Sequence, residues 1–333
     1  MDLTKGTCWK TILIFSLPVI LSYLLQQVYS ISDAAIVGQT LTAQEVAGVN
    51  DTTSLVFIFL QFAFGVSAGF CVVTSCQVGA RNQAGVRRSL ATQIILSAVL
   101  TVLLTALALA LLNPMLAWIN VTPDNAEVYR AAYTYCFIIF AGIGAQLFYN
   151  FICAFLRSMG DSLTPLLFLL FSTVLNVGLD PLLIFVLDMG VAGAALATIL
   201  SQLASFCMLL LGCSRGGNLR IRLRNVCIRR DLLVEICKGG VPSLCRQGLA
   251  SIATICLNRS AGLYGDAAIA AMSVVTRAMQ LAQSALIGFG QGFQPVCGFN
   301  YGAGLYGRVK DAFRFCVKWA TVFLAAASVL GMI

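Results

Sequence analysis

The sequence predicts an all-α, polytopic membrane protein with two parallel-repeat six-helix lobes, of which the second is incomplete. Hydrophobic residues make up 59% of the 333-residue chain, charged residues only 10%, and the mean hydropathy is +0.90. Soluble globular proteins carry about 25% charged residues, so the expected solvent of this chain is the lipid bilayer. An internal repeat then indicates how the predicted helices are grouped.

The repeat is clearest in two glycine-rich runs, GVSAGFCVVTSCQVGA at 65–80 and GFGQGFQPVCGFNYGA at 288–303. Identical residues occupy the equivalent positions Gly65/Gly288, Gly69/Gly292, Phe70/Phe293, Val73/Val296, Gly79/Gly302 and Ala80/Ala303. A duplicated unit in so apolar a chain is typical of secondary transporters, whose substrate site lies between the repeats.

Nine predominantly apolar stretches are long enough to cross a bilayer, which needs about 20 residues. They are predicted at 11–36, 50–78, 90–112, 130–156, 163–187, 191–213, 236–262, 267–299 and 312–333. The predicted domains are a first six-helix lobe at 1–213, a cytoplasmic basic linker at 214–235, and the first three helices of a second lobe at 236–333. Because the repeat predicts three more helices, we expect a fragment or a truncated form of a twelve-helix protein.

Each predicted helix is given a direction by the basic residues that flank it. With the N-terminus inside, the predicted cytoplasmic segments hold 17 Lys and Arg residues and the outer loops hold 2. This asymmetry predicts a multi-pass protein of the cell membrane with a cytoplasmic N-terminus. It also accounts for the net charge of +8. The basic run RIRLRNVCIRR (220–230) is therefore expected to lie on anionic lipid, and no nucleic-acid partner is predicted.

The composition argues against most enzyme chemistry. The chain has no His, which is the commonest acid–base group and metal ligand. Most of the 13 Cys lie inside apolar runs, where they are expected to act as small hydrophobic residues. We therefore expect neither an enzyme nor a bound cofactor.

Two carboxylates, Asp33 and Asp180, fall inside predicted spans. A charge at the centre of a span costs about 2.5–3.5 kcal/mol even on the lenient insertion scale. Such residues usually face a bundle interior or a wet cavity, although each could instead lie near a helix end at the membrane interface. Helical spacing places Asp33 on one face with Tyr23, Gln26 and Ser30.

Asp180 shares a helical face with Ser172 and Asn176 and is followed by the helix-disrupting Pro181. The resulting oxygen cluster is suited to a proton or Na⁺, so a Na⁺ site is expected at Asp33, Asn176 and Asp180. Burial and a second carboxylate nearby both disfavour the fully ionised state. Such a pair can therefore bind a cation and release it when its surroundings change.

The seventh predicted helix has a polar face that aligns with the first. Gln247, Ser251 and Thr254 align with Tyr23, Gln27 and Ser30, whereas Asp33 aligns with Leu257. The coupling chemistry is therefore predicted in the first unit alone. The residues expected to line the substrate cavity are Tyr23, Gln26, Ser30, Gln247, Ser251, Thr254 and Gln291.

The chain resembles a known family in four runs that are spread over its length. These are GFGQGFQPVCGFNYGAGLYGRVKDAF (288–313), SDAAIVGQ (32–39), NVGLDPLLIF (176–185) and GVAGAALATILSQ (190–202). They resemble the multidrug and toxic compound extrusion (MATE) transporters. The resemblance implies a twelve-helix antiporter that exchanges H⁺ or Na⁺ for small organic cations or drugs.

The resemblance also implies roles for individual residues. The family's first-lobe cation site is matched by Asp33, Asn176, Asp180 and Thr198, and its helix 4 tyrosine by Tyr135, with Tyr149 as the alternative. One branch of the family carries a glutamate in helix 7 that helps to form a second cation site. Here that region reads PSLCRQGLAS (242–251) and has no carboxylate.

Two alternatives to antiport remain open from the sequence. A flippase of lipid-linked precursors has a related helical plan and would be favoured by a basic groove, whereas the candidate groove residues are acidic or neutral apart from Arg246 and Arg277. A non-transporting remnant is the other alternative. The sequence does not determine the coupling ion, the transported compounds or the oligomeric state, for which a monomer is the default expectation.

Overall fold

The computed structural model describes residues 2–119, 121–215, scattered positions between 234 and 260, and 266–330. Its helices in these ranges are α1 (Cys8–Thr40), α2 (Ala43–Gly79), α3 (Gln83–Ala110), α4 (Leu112–Trp118), α5 (Ala126–Ala141), α6 (Ile143–Ser158), α7 (Leu163–Pro181), α8 (Gly190–Arg215), α9 (Asp266–Gly302) and α10 (Tyr306–Leu330). A π-helical turn, Leu182–Val186, continues α7. The all-α prediction is confirmed for the described part of the chain.

Several of these helices are long and apolar enough to cross a membrane. The single helices that qualify are α1, α3, α7 with its π-helical turn, α8 and α10. The bent pair α5 and α6 forms a sixth candidate span. Helices α2 and α9 are 37 residues long each, well above the length that a bilayer requires. Most of the predicted linker 214–235 and of the predicted span 236–262 lies outside the described residues.

Local side-chain chemistry determines where the helices begin. Thr42 and Glu45 form a reciprocal capping box at α2, with Glu45 N–H donating to Thr42 Oγ1 at 3.3 Å and Thr42 N–H to Glu45 Oε2 at 3.0 Å. At α3, Asn82 Oδ1 accepts from the N–H of Gly85 at 3.0 Å. These caps satisfy backbone donors that the first helical turn leaves unpaired.

Helix α2 lies at the centre of the packing and contacts α3, α5, α6 and α9. The largest apolar core joins α2 to α3, α4 and α5 around Leu55, Leu104, Leu116 and Phe140, each at most 5% exposed. Helix α1 packs against α7 along one side and against α9 along another. It therefore connects the first repeat unit to the second.

The predicted fourth span, 130–156, is two helices rather than one. Helices α5 and α6 meet at Gly142 with a bend of 45°. A Cβ at Gly142 would collide with the side chain of Ile199 on α8, so glycine at this position lets α8 pack closely against the break. The short helix α4 between the third and fourth spans was not predicted, because its seven residues continue the apolar pattern of α3.

Candidate functional site: a carboxylate pair

The site forms where the C-terminal end of α7 lies against α1 and α8. Asn176 and Asp180 are both 0% exposed, and the π-helical turn begins directly after Pro181. Such π-helical segments occur frequently at functional sites because they change the direction of side chains within a helix. Helix α8 comes close to this turn at Gly193, where an added Cβ would lie only 2.9 Å from the carbonyl carbon of Leu183.

The carboxyl groups of Asp33 and Asp180 are in contact with each other. Two ionised carboxylates in contact repel each other. They form a hydrogen bond only when one of them carries a proton. The chain thus brings together two carboxyl groups from α1 and α7, helices that are far apart in sequence.

Three buried oxygen atoms at this contact have no hydrogen-bond partner among the described residues. They are Asp33 Oδ1, Asn176 Oδ1 and Asp180 Oδ2. The Asn176 amide donates to the other oxygen of Asp180, but only at 3.4 Å. Buried polar atoms of this kind are uncommon and need an explanation. Oxygen atoms are the ligands that hard cations prefer, so this donor set fits Na⁺, and the carboxyl oxygens also fit a proton.

Thr198 and two tyrosines complete the surroundings of the pair. Tyr29 O–H donates to Thr198 Oγ1 at 3.5 Å, a long contact, and Thr198 in turn donates to the carbonyl of Ala194 at 3.2 Å. Tyr135 interacts electrostatically with Asp33, Tyr29 and Asp180. The alternative tyrosine, Tyr149, lies instead in an apolar cluster with Phe70 and Phe151.

Tyr29 is the neighbour that the sequence analysis missed. It precedes Asp33 by four residues, which is the spacing that places two side chains on one helical face. That spacing was the available signal. An aromatic residue in an apolar helix is most often a packing residue. The hydrogen-bond partner of the Tyr29 hydroxyl group, Thr198, lies on another helix.

The predicted cavity residues are found in different places. Tyr23 and Gln26 line a small cleft between α1, α6 and α7, together with Ser22, Asn150 and Arg157. Ser30 is exposed, and Gln291 is half-buried on α9. The predicted residues Gln247, Ser251 and Thr254, and also Arg246, lie outside the described residues.

Comparison with known proteins identifies the family. The MatE family model matches residues 18–182 and 242–333, which is most of the chain. The chain belongs to the MatE family of MATE transporters. Its relatives are transporters and not enzymes, as the composition predicted.

Named relatives and a solved structure support this membership. The chain is 27% identical to the "Probable multidrug resistance protein YoeA" of Bacillus subtilis, over 93% of this chain and 68% of the relative. It is 24% identical to the "Multidrug export protein MepA" of Staphylococcus aureus, over 98% and 74%. The solved outward-facing conformation of a multidrug resistance MATE family transporter of the MOP superfamily matches with a TM-score of 0.91 and 26% identity, over 100% and 73%.

Proposed function

We propose that this MATE family chain is a cation-coupled antiporter that exports organic cations or drugs across the cytoplasmic membrane by alternating access. The observation that carries the proposal is the contact between Asp33 and Asp180, with three buried oxygens that lack a partner. The relatives named as multidrug proteins support the substrate class. The charge asymmetry of the loops supports a cytoplasmic N-terminus.

The proposed coupling follows from charge balance. Without a cation, the two carboxylates repel inside a poorly hydrated bundle; a bound proton or Na⁺ removes part of that repulsion and lets α1 and α7 move closer together. A cationic drug in a cavity beside this site would be attracted to the ionised pair and would lose that attraction once the pair is neutralised. Ion binding from outside would therefore favour drug release to the outside.

The proposed site contains the residues Asp33, Asn176, Asp180, Thr198 and Tyr135, and Tyr29 is added to it here. Asp33, Asn176 and Asp180 supply the unpartnered oxygens for the ion. Thr198 and Tyr29 form the hydrogen-bonded wall next to them. A flippase would need a basic groove, whereas the proposed site contains two carboxyl groups and no basic residue.

The test is ethidium transport in everted membrane vesicles, with H⁺ and Na⁺ gradients imposed separately. We expect gradient-driven uptake by the wild-type chain and its loss in Asp180→Asn, since an amide occupies the same volume without the charge. The ion whose gradient drives uptake is the coupling ion.

Asp188→Asn is the matched control. Asp188 is an exposed carboxylate eight residues further on, with φ of 49°, a conformation that Asn tolerates well. We expect it to transport normally. Equal uptake by Asp180→Asn and Asp188→Asn would contradict the proposed coupling role. No uptake by an inserted wild-type chain would favour the non-transporting alternative.

A further inference from the structure

The repeated glycine motif forms a contact between its own two copies, where α2 crosses α9. A Cβ at Gly79 would collide with the carbonyl of Phe299, and a Cβ at Gly302 would collide with the carbonyl of Cys76. Gly79 and Gly302 are equivalent positions in the repeat, and so are Cys76 and Phe299. The two contacts are therefore related by a local pseudo-twofold axis.

The axis passes beside a third contact. A Cβ at Gly298 would lie 2.5 Å from the Cβ of Ser75, which is its own equivalent in the first copy. Helix α9 also approaches the first half of α1, where Gly292 faces Ser16 and Gly288 faces Ile20. We call these contacts of α9 with α1 and α2 the glycine seam; its members are Gly79, Gly288, Gly292, Gly298 and Gly302.

The seam closes one end of the molecule. The ends that meet are the start of α1, the end of α2 and the end of α9, where Leu3, Phe15, Val296 and Phe299 form a buried apolar cluster. Beyond Tyr23, α1 packs in the first unit instead, with Val37 in a cluster that contains Ile184 of the π-helical turn. With the N-terminus in the cytoplasm, as proposed, the closed end is the cytoplasmic end.

A set of hydrogen bonds holds this end together. The Asn300 amide, 0% exposed, donates to the carbonyl of Leu3 at 3.2 Å. Arg308 donates through Nε to Asn300 Oδ1 at 2.9 Å and through Nη1 to the carbonyl of Gly6 at 2.8 Å. The Cys8 thiol donates to the carbonyl of Arg308 at 3.4 Å.

These bonds join the N-terminal segment before α1 to the end of α9 and the start of α10. Leu3 is 0% exposed, so its side chain is buried together with its hydrogen-bonded carbonyl. In the first repeat, the positions equivalent to Asn300 and Arg308 are Gln77 and Gly85, and glycine has no side chain that could reach across.

We infer that Arg308, Asn300 and the N-terminal segment 3–6 form a latch that keeps the cytoplasmic side closed and must break before that side opens. This inference rests on the proposed alternating access and orientation. The glycines of the seam allow the helices to come close, but they contribute no directional bond. The charged guanidinium supplies that bond, and hydrogen bonds to charged groups are about twice as strong as neutral ones.

The test measures access to the seam from the cytoplasmic side and needs no transported compound. Cys76 and Cys297 are free, half-buried cysteines in the seam region of α2 and α9, whereas Cys71 is buried within the first unit. A membrane-impermeant maleimide is applied to everted vesicles, and labelling at each cysteine is read by peptide mass spectrometry. Arg308→Ala should increase the labelling rate of Cys76 and Cys297 by about tenfold, as expected for loss of a charged hydrogen bond.

Arg314→Ala is the matched control, because it removes an equally charged but exposed side chain from α10. It should label at the wild-type rate, and Cys71 should stay protected in both variants. A wild-type labelling rate in Arg308→Ala would overturn the latch.

A second variant covers the case in which Arg308→Ala unfolds and exposes Cys71. Leu3→Ala loosens the N-terminal segment and leaves Arg308 in place, so it should increase labelling of Cys76 and Cys297 with Cys71 protected. Unchanged labelling in Leu3→Ala would then overturn the latch. Increased labelling without ethidium transport would support the latch and contradict the proposed antiport.

Discussion

At the residue scale, the carboxylate pair is a feature that lowers the stability of the fold, because its surroundings are apolar. Asp33 and Asp180 contact each other, and one oxygen of each has no hydrogen-bond partner among the described residues. A chain selected for stability alone would place an amide or an apolar residue here. Retention of repelling groups is typical of functional positions, where activity is favoured over stability.

This cost can be measured as thermal stability. In Asp180→Asn, an amide replaces one carboxylate, removes the repulsion and can donate to Asp33. We expect the apparent melting temperature in detergent at alkaline pH, which favours ionised carboxylates, to rise by about 2 °C for each kcal/mol gained. Asp188→Asn should melt at the wild-type temperature. A lower melting temperature for Asp180→Asn would mean that the pair stabilises the fold.

The sequence predicted the charged members of this site but only part of its wall. Asp33 and Asp180 stand out because charge is rare in an apolar span, and Asn176 follows from helical spacing. Tyr29 could not be distinguished from packing aromatics, because its polar partner Thr198 is 169 residues away. Long-range pairings of this kind have no local signal in a single sequence.

At the element scale, the boundaries of most spans were predictable because apolar runs are bounded by polar residues. The bend between α5 and α6 was not, because the close approach of Gly142 to Ile199 involves a helix that is distant in sequence. The crossing of α2 and α9 could be predicted only in part. The repeat identified Gly79 and Gly302 as special, but only the structure shows that the two copies face each other.

The crossing predicts opposite effects for two glycines of one helix. Gly302→Ala places a methyl group against the carbonyl of Cys76, whereas a Cβ at Gly290 meets no atom of another described element within 4 Å. We expect Gly302→Ala to push α9 away from α2 and raise maleimide labelling of Cys76 in everted vesicles. Gly290→Ala should leave labelling unchanged and stabilise the helix by about 0.5–1 kcal/mol. Equal labelling in the two variants would contradict this prediction, because it would show that the α2–α9 crossing accommodates a methyl group at residue 302.

At the scale of the whole molecule, the structure connects two repeat units through α1, α2 and α9. The helices α2 and α9 run in the same direction at this crossing, as expected for units related by an axis along the membrane normal. The charge asymmetry, 17 basic residues against 2, predicts which ends face the cytoplasm. That prediction can be tested without any knowledge of the transported compound.

Two epitope insertions distinguish the possible orientations. An epitope at the exposed Asp124, between α4 and α5, should be detected by antibody on intact cells. An epitope at the exposed Arg81, between α2 and α3, should be detected only after the cells are permeabilised. The reverse pattern would invert the topology and, with it, the assignment of the closed end to the cytoplasm.

The latch makes the two edges of the α2–α9 crossing unequal. One edge carries the hydrogen bonds of Arg308 and Asn300, and the other carries Gly85 and Gln77 at the equivalent positions. Although the duplicated motif gives the crossing a nearly symmetric shape, the side-chain hydrogen bonds found across it among the described residues lie on the Arg308 edge. We therefore expect the two units to separate first at the Gly85 edge and to pivot about the Arg308 edge, so that a symmetric duplication produces a one-sided opening.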